Sequence, residues 1–214
     1  MGAIMLTLIW FYRWSLHDRH ETTRLVVAKG LARILGVKLV DNFEYLLYRA
    51  KLNVLELDRM GVDYSALRKI VVAIEDRRFQ EHRGVDWRAM TRAAMSRFKY
   101  FRRTKGYIRS GGSTIAMQLL RTLFIVNGQA VWKRKLLELL LAPWLAGQFT
   151  KGELLNLHLA CVRYERGVMG LTTAIRHFFG ELKGRKLRNE EAFLLVERLS
   201  NVSSTVNMER VRHL

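Results

Sequence analysis

The sequence predicts a mainly α-helical protein, and three features point that way. Pro143 is the only proline in 214 residues, so nothing else of that kind interrupts a helical run. Leu, Ala, Arg and Met, all good helix formers, are spread along the whole chain. Short alternating runs bounded by turn residues, the mark of strands and hairpins, are nearly missing. At 25.0 kDa this is one domain, or one domain with an appendage. Half of the residues are hydrophobic and 26% are charged, which excludes both a disordered chain and a polytopic membrane protein built from long uncharged runs.

Taken in order, residues 1–16 form an apolar segment expected to contact a membrane. It is uncharged through Tyr12, and Arg13 arrives before the ~20 residues that a spanning helix needs. No basic stretch precedes it and no small-residue cleavage site follows, so it matches a cleaved signal peptide poorly. Trp10, Phe11, Tyr12 and Trp14 lie beside Arg13 and Arg19, a composition suited to a headgroup boundary. A first helix packed on the domain is the alternative. Residues 17–69 read as an N-terminal helical region, because apolar residues recur at threes and fours, as in Leu31, Ile34, Leu35 and then Phe43, Leu46, Leu47.

The net charge of +18 asks for a partner bearing phosphate, and nucleic acid, anionic lipid and a phosphorylated substrate all satisfy it. Residues 97–109 concentrate that charge in Arg97, Lys99, Arg102, Arg103, Lys105 and Arg109, interleaved with Phe98, Tyr100, Phe101 and Tyr107. Such a stretch suits anionic headgroups and a nucleic-acid backbone equally, or is a solvated loop. The single cysteine, Cys161, closes no intramolecular disulfide and leaves the compartment undecided.

Three segments carry chemistry. The first is Glu75-Asp76-Arg77-Arg78-Phe79-Gln80-Glu81-His82-Arg83-Gly84-Val85-Asp86, preceded by the apolar Ile70-Val71-Val72-Ala73-Ile74. Read as a helix, it sets Glu75, Phe79 and His82 on one face, with a carboxylate leaving apolar surroundings as a general base would. An ordinary surface helix with Arg77 paired to Glu81 is the plain alternative. The second is Ser110-Gly111-Gly112-Ser113-Thr114 followed by the apolar run through Phe124. Ser113 or Thr114 is placed to cap a helix whose free N–H groups suit an anion, and Thr114, Gln118 and Arg121 draw a polar stripe along it. The third is Arg134-Lys135-Leu136-Leu137-Glu138, inside a helix from about Val131 toward Leu145, where Pro143 should introduce a kink. It reads either as an i, i+4 salt bridge or as cations that neutralise a leaving phosphate.

Together and in this order, these segments resemble the peptidoglycan glycosyltransferases, or biosynthetic transglycosylases, which polymerise lipid II. The family patterns E-D-x-x-F-x-x-H-x-G-x-D, G-G-S-T-x-x-x-Q and R-K-x-x-E are each met in full. Lys151-Gly152-Glu153-Leu154-Leu155 is similar to the fourth motif, residues 167–180 to the fifth, and residues 187–199 to the helix after it. The resemblance runs from about Ile70, so residues 70–214 are read as the glycosyltransferase domain. It implies a lysozyme-like helical fold with a small membrane-facing lobe. It further implies Glu75 as the base acting on the acceptor 4-hydroxyl and Glu138 as the helper at the departing pyrophosphate. Phe79, His82, Ser113, Thr114, Gln118, Arg121, Arg134, Lys135 and Lys151 are implied at the substrate. No cofactor is certain; a divalent cation, Mg2+ or Mn2+, is left open.

Departures from the family pattern are specific. Asn156, His158 and Ala160 stand where Glu, Tyr and Asn are usual, Ala146 replaces a carboxylate, and Arg121 replaces a lysine with the charge kept. The segment 1–16 is shorter than the spanning helix that the resemblance implies. Ser96-Arg97-Phe98-Lys99 matches the S-x-x-K of transpeptidases, but no K-T-G follows. The sequence therefore predicts an inverting, monofunctional polymerase on the outer, periplasmic face of the bacterial cytoplasmic membrane. Its expected partners are lipid II, the growing glycan strand, the anionic membrane surface and cell-wall synthesis proteins, and not nucleic acid. A degenerate relative that binds lipid II or a cell-wall partner without turnover is the rival, and a basic nucleic-acid module ranks third.

Overall fold

A computed structural model describes residues 18–40, 42–95, 112–126, 130–182 and 184–200, with side chains from residue 23 onward. The expected membrane segment 1–16 and the basic-aromatic stretch 97–109 lie outside the described residues. The architecture is mainly helical, as expected. In chain order the elements are α1 (Asp18–Leu35), α2 (Phe43–Arg59), α3 (Ser65–Glu75), α4 (Trp87–Met95), α5 (Ile115–Phe124), α6 (Val131–Gly147), α7 (Lys151–Cys161), β1 (Arg163–Glu165), β2 (Val168–Met169), α8 (Leu171–Phe179) and α9 (Asn189–Ser200). The β1–β2 antiparallel hairpin was not expected; it is too short to show a period-two pattern.

The centre of the fold is α5. Ile115, Ala116, Met117, Leu119, Leu120 and Phe124 are buried on every side of it, because α6 and α7 pack against it from different directions. At its C-terminal end Phe124 meets Phe43 edge-on at 4.3 Å and Trp144 at 6.2 Å, which joins α2, α5 and α6. The strand-like link before α2 pairs there too, Val40 N–H donating to the Phe124 carbonyl and Val126 N–H to that of Lys38. One cluster of buried residues runs without a break from Ala28 to Leu199.

Helix ends follow local chemistry. Asn42 caps α2 by accepting the Tyr45 N–H at 2.9 Å. Thr150 and Glu153 form a reciprocal capping box at the start of α7. Pro143 sits inside α6, as expected, and the neighbouring chain approaches closely at that point. Gly84, at φ +92°, lies so near the Ala142 carbonyl that an added Cβ would fall 2.4 Å from its oxygen. The periodicity in α1 misassigns one residue: Ile34 points outward and is 83% exposed, because among the described side chains of α1 only Ala28 and Ala32 turn fully into the core.

Candidate active site

The helix expected through Glu75, Phe79 and His82 stops at Glu75. Asp76 is its C-terminal cap, and residues 77–81 form a turn. In place of the Arg77–Glu81 pair of the plain surface-helix alternative, Glu81 pairs with Arg78 at 2.6 Å. The cause is Asp76, whose carboxylate is buried and already engaged: Oδ1 meets His82 Nε2 at 2.8 Å, and Oδ2 accepts the Ile115 N–H at 3.0 Å. At φ −151° and ψ 68° its backbone has left the helical region, and these two side-chain bonds hold the chain in that departure. The turn is pinned from two further sides. Lys151 Nζ donates to the carbonyls of Phe79 and His82 and lies over the Phe79 ring, and burial depresses its ammonium below the usual lysine range against the pull of Asp76. Thr114 Oγ1 donates to the Gly84 carbonyl at 2.6 Å while accepting the Met117 N–H, so it is Thr114 rather than Ser113 that caps α5. Asp86 completes the segment, accepting from Arg78 and from the Ala89 N–H at 3.0 Å each and so starting α4.

On this frame Glu75 is half-buried and held by two uncharged donors. Gln118 Nε2 donates to Oε2 at 3.0 Å, and Ser200 Oγ donates to Oε1 at 2.5 Å. Both carboxylate oxygens are thus oriented, one from the stripe on α5 and one from the end of α9. Phe79, expected at the substrate, is 1% exposed and packs beneath Lys151. The His82 side chain is enclosed against Asp76, and among the described residues its Nδ1 has no hydrogen-bond partner.

Glu138 occupies the opposite kind of place. It is 0% exposed, with Arg134 Nε at 3.2 Å, Lys135 Nζ at 3.2 Å and Arg121 Nη1 at 3.9 Å. Lys135 Nζ also donates to Ser113 Oγ at 2.7 Å. Burial lowers the Lys135 ammonium from its ordinary value, Glu138 acting in the other direction. The cluster opens on a cavity of about 690 Å³ whose other walls are apolar, among them Met90, Ala93, Val131, Trp132, Leu136 and Leu139. Gln118 and Arg121 are one turn apart on α5, so a single buried helix reaches both glutamates. Three cations around one carboxylate leave net positive charge facing the cavity, an arrangement that takes an anion. It is a poor donor set for Mg2+ or Mn2+, which want several oxygen ligands. Among the described residues no group of three or more His, Cys, Asp and Glu comes together as a metal centre.

This order of residues has a counterpart in known proteins. A family model described as Transglycosylase matches residues 43–213. The chain belongs to the transglycosylase family. A biosynthetic peptidoglycan transglycosylase of Nitrosomonas eutropha is 33% identical over 150 residues, 68% of this chain and 59% of that protein. The same-named protein of Dechloromonas aromatica is 27% identical over 183 residues, 84% and 71% of the two chains. Penicillin-binding protein 2D of Bacillus subtilis is 35% identical over 127 residues, 59% of this chain and 17% of that one. The chain spans about half the length of the first curated relatives it matches, 47–59%.

Within this transglycosylase framework the structure adds residues to which the sequence reading gave no role. Asp76, a fixed position of the first motif, joins that motif to the helix of the second. Ser200 had no signal in the sequence, lying 125 positions from the carboxylate it holds. The departures in the fourth motif fall behind the site. His158 is 0% exposed, both ring nitrogens lack a hydrogen-bond partner among the described residues, and burial, with Arg121 nearby, pushes it down to about 3. Asn156 Oδ1 is likewise buried without a partner among the described residues.

Proposed function

We propose that this protein polymerises lipid II into glycan strands by inverting transfer, releasing polyprenyl pyrophosphate. The observation that carries the reading is the pairing of an oriented, half-buried Glu75 with a buried, cation-ringed Glu138 across one helix. In this mechanism Glu75 removes the proton from the acceptor 4-hydroxyl as that oxygen attacks the donor's anomeric carbon. Gln118 and Ser200 hold the carboxylate in the attacking geometry without supplying a charge that would weaken it as a base. The leaving pyrophosphate gains negative charge as its bond to the sugar breaks. Arg121, Arg134 and Lys135 neutralise it, with Glu138 holding the three cations in place and Ser113 fixing Lys135. A one-step displacement of an α-linked pyrophosphate inverts the anomeric centre and needs no covalent nucleophile.

The proposed fold is lysozyme-like with a membrane-facing lobe, and the protein works at the periplasmic face of the cytoplasmic membrane. The packed pair α1 and α6 supports that placement. Val26, Val27, Ile34, Val131, Trp132 and Leu136 are exposed on these two helices, among the exposed Arg24, Lys29, Arg33 and Lys38. Lys133 Nζ ties the helices together through the Leu35 carbonyl at 2.7 Å. Apolar side chains amid cations suit an anionic lipid surface. Among the described residues no helix is long and apolar enough to cross a membrane.

The test is polymerisation of purified lipid II by the unaltered chain and by Glu75→Gln. The amide keeps the shape and loses the base, so turnover should fall by ~10²- to 10⁴-fold while the melting temperature holds. Activity of Glu75→Gln within about threefold of the parent overturns the general-base assignment. The departures Asn156 and His158, whose Oδ1 and ring nitrogens have no hydrogen-bond partner among the described residues, favour a second reading, a relative that binds lipid II without turnover. An unaltered chain that binds lipid II but makes no glycan selects it.

A further inference from the structure

The outer face of α2 has no role in the chemistry above, and its composition sets it apart. Phe43, Leu47, Ala50 and Leu57 turn inward. On the opposite side Tyr45, Tyr48, Leu52 and Leu55 form a continuous apolar line, 44–56% exposed. A helix face turned to water would carry charges there. The spacing of three, four and three is that of a coiled-coil seam over two heptads, with Tyr45 and Leu52 at a and Tyr48 and Leu55 at d. Within a chain of net charge +18, α2 is balanced, with Glu44, Glu56 and Asp58 against Arg49, Lys51 and Arg59. Neither anionic lipid nor nucleic acid is the natural counterpart of a neutral apolar face.

The flanking charges indicate what is. In this frame Glu44 and Lys51 fall at g, and Arg49 and Glu56 at e. Parallel pairing sets each g opposite the e five residues further along the other helix. Glu44 would then meet the copy's Arg49, and Lys51 the copy's Glu56. Antiparallel pairing of the same seam opposes Arg49 to Arg49, Lys51 to Lys51 and Glu44 to Asp58, all like charges. We propose that the outer face of α2 is a self-association surface, on which a second copy of this chain packs as a short parallel coiled coil. Lys51 already lies over Phe149 at 5.5 Å and Glu56 already pairs with Arg176 at 3.1 Å. The Glu44–Arg49 pair therefore carries most of the choice of partner. Arg49 is positioned for it, its guanidinium 5.8 Å from the Tyr45 ring.

Disulfide trapping in the full chain tests this without relying on activity. Cys161 is buried and its thiol is pushed up to about 11, so it does not compete. Under mild oxidation Leu52→Cys should give a covalent dimer, because each a position faces its own copy in a parallel pair. Thr173→Cys, exposed on α8, should give only the collisional background. Adding Arg49→Glu to Leu52→Cys should reduce the yield to that background, and adding Glu44→Arg as well should restore it. Sedimentation of the unaltered chain should show reversible dimer. Leu52→Cys linking no better than Thr173→Cys overturns the proposal, and so does a yield indifferent to the charge reversals. A mixture of Tyr48→Cys and Leu52→Cys that links better than Leu52→Cys alone shows antiparallel pairing and overturns it equally.

Discussion

Glu75 and Glu138 are the same residue in opposite surroundings. Glu75 stands half in the open and takes hydrogen bonds from an amide and a hydroxyl. Glu138 is fully enclosed and takes three cations. A base must be reachable and must gain something by taking a proton, which neutral donors allow and adjacent cations oppose. A carboxylate buried among cations has already spent its charge on them, and what it fixes is their position. Orientation is thus the task around Glu75, and charge storage the task around Glu138.

The sharpest way to break the contrast is to remove each charge and measure stability by denaturant titration. Glu138→Gln leaves Arg121, Arg134 and Lys135 crowded without their anion and should cost ~3–5 kcal/mol, the usual result of deleting one partner of a buried ion cluster. Glu75→Gln should change stability by less than about 1 kcal/mol, since the amide oxygen accepts from Gln118 and the amide NH2 donates to the Ser200 hydroxyl, which accepts as well as donates. Equal losses for the two variants would erase the distinction.

Acid titration probes the cationic side from behind. His158 is held at about 3 in the fold and titrates near its ordinary 6.5 once unfolded. Between those values the unfolded chain binds a proton that the folded one refuses, so stability falls as pH drops below about 6.5. From about pH 6.5 to about pH 5 the expected loss is roughly 2 kcal/mol. His158→Leu should flatten that part of the curve. An unchanged slope would mean that other groups cause it.

On the Glu75 side, Ser200→Ala should lower kcat about tenfold, the worth of one hydrogen bond to a charged group, with KM unchanged. Ser200→Thr keeps the hydroxyl and should keep most of the rate. If Ser200→Ala and Ser200→Thr lose melting temperature and rate together, Ser200 serves the packing of α9 and not the base. The smallest effect expected is a displacement of a pH profile. Lys135 carries its charge only below a lowered pKa, so turnover should decline on the alkaline side before the ordinary lysine range is reached. Lys135→Arg should move that decline upward.

Much of this was legible without coordinates. The helical class follows from composition, and a cap at Ser113 or Thr114 and the cluster of Arg134, Lys135 and Glu138 follow from spacing within four residues; the structure chose Thr114. Where the helical reading of the first motif failed, the contacts around the turn differ from those a helix would give. The helix expected through His82 ends at Asp76, whose backbone leaves the helical region and whose carboxylate bonds the N–H of Ile115, 39 positions away. Arg77 loses Glu81 to Arg78 because the turn that results points a different side chain at it.

Family membership can be read from the order of residues alone, since five motifs in succession mark it whatever the backbone does between them. Which of the two glutamates is enclosed depends on packing. Burial is set by what packs around a residue, and Glu138 is sealed by α5, whose Arg121 lies 17 positions earlier. Packing also decided that Ser200 and Gln118 share one carboxylate, a contact between helices far apart in sequence that no local pattern encodes.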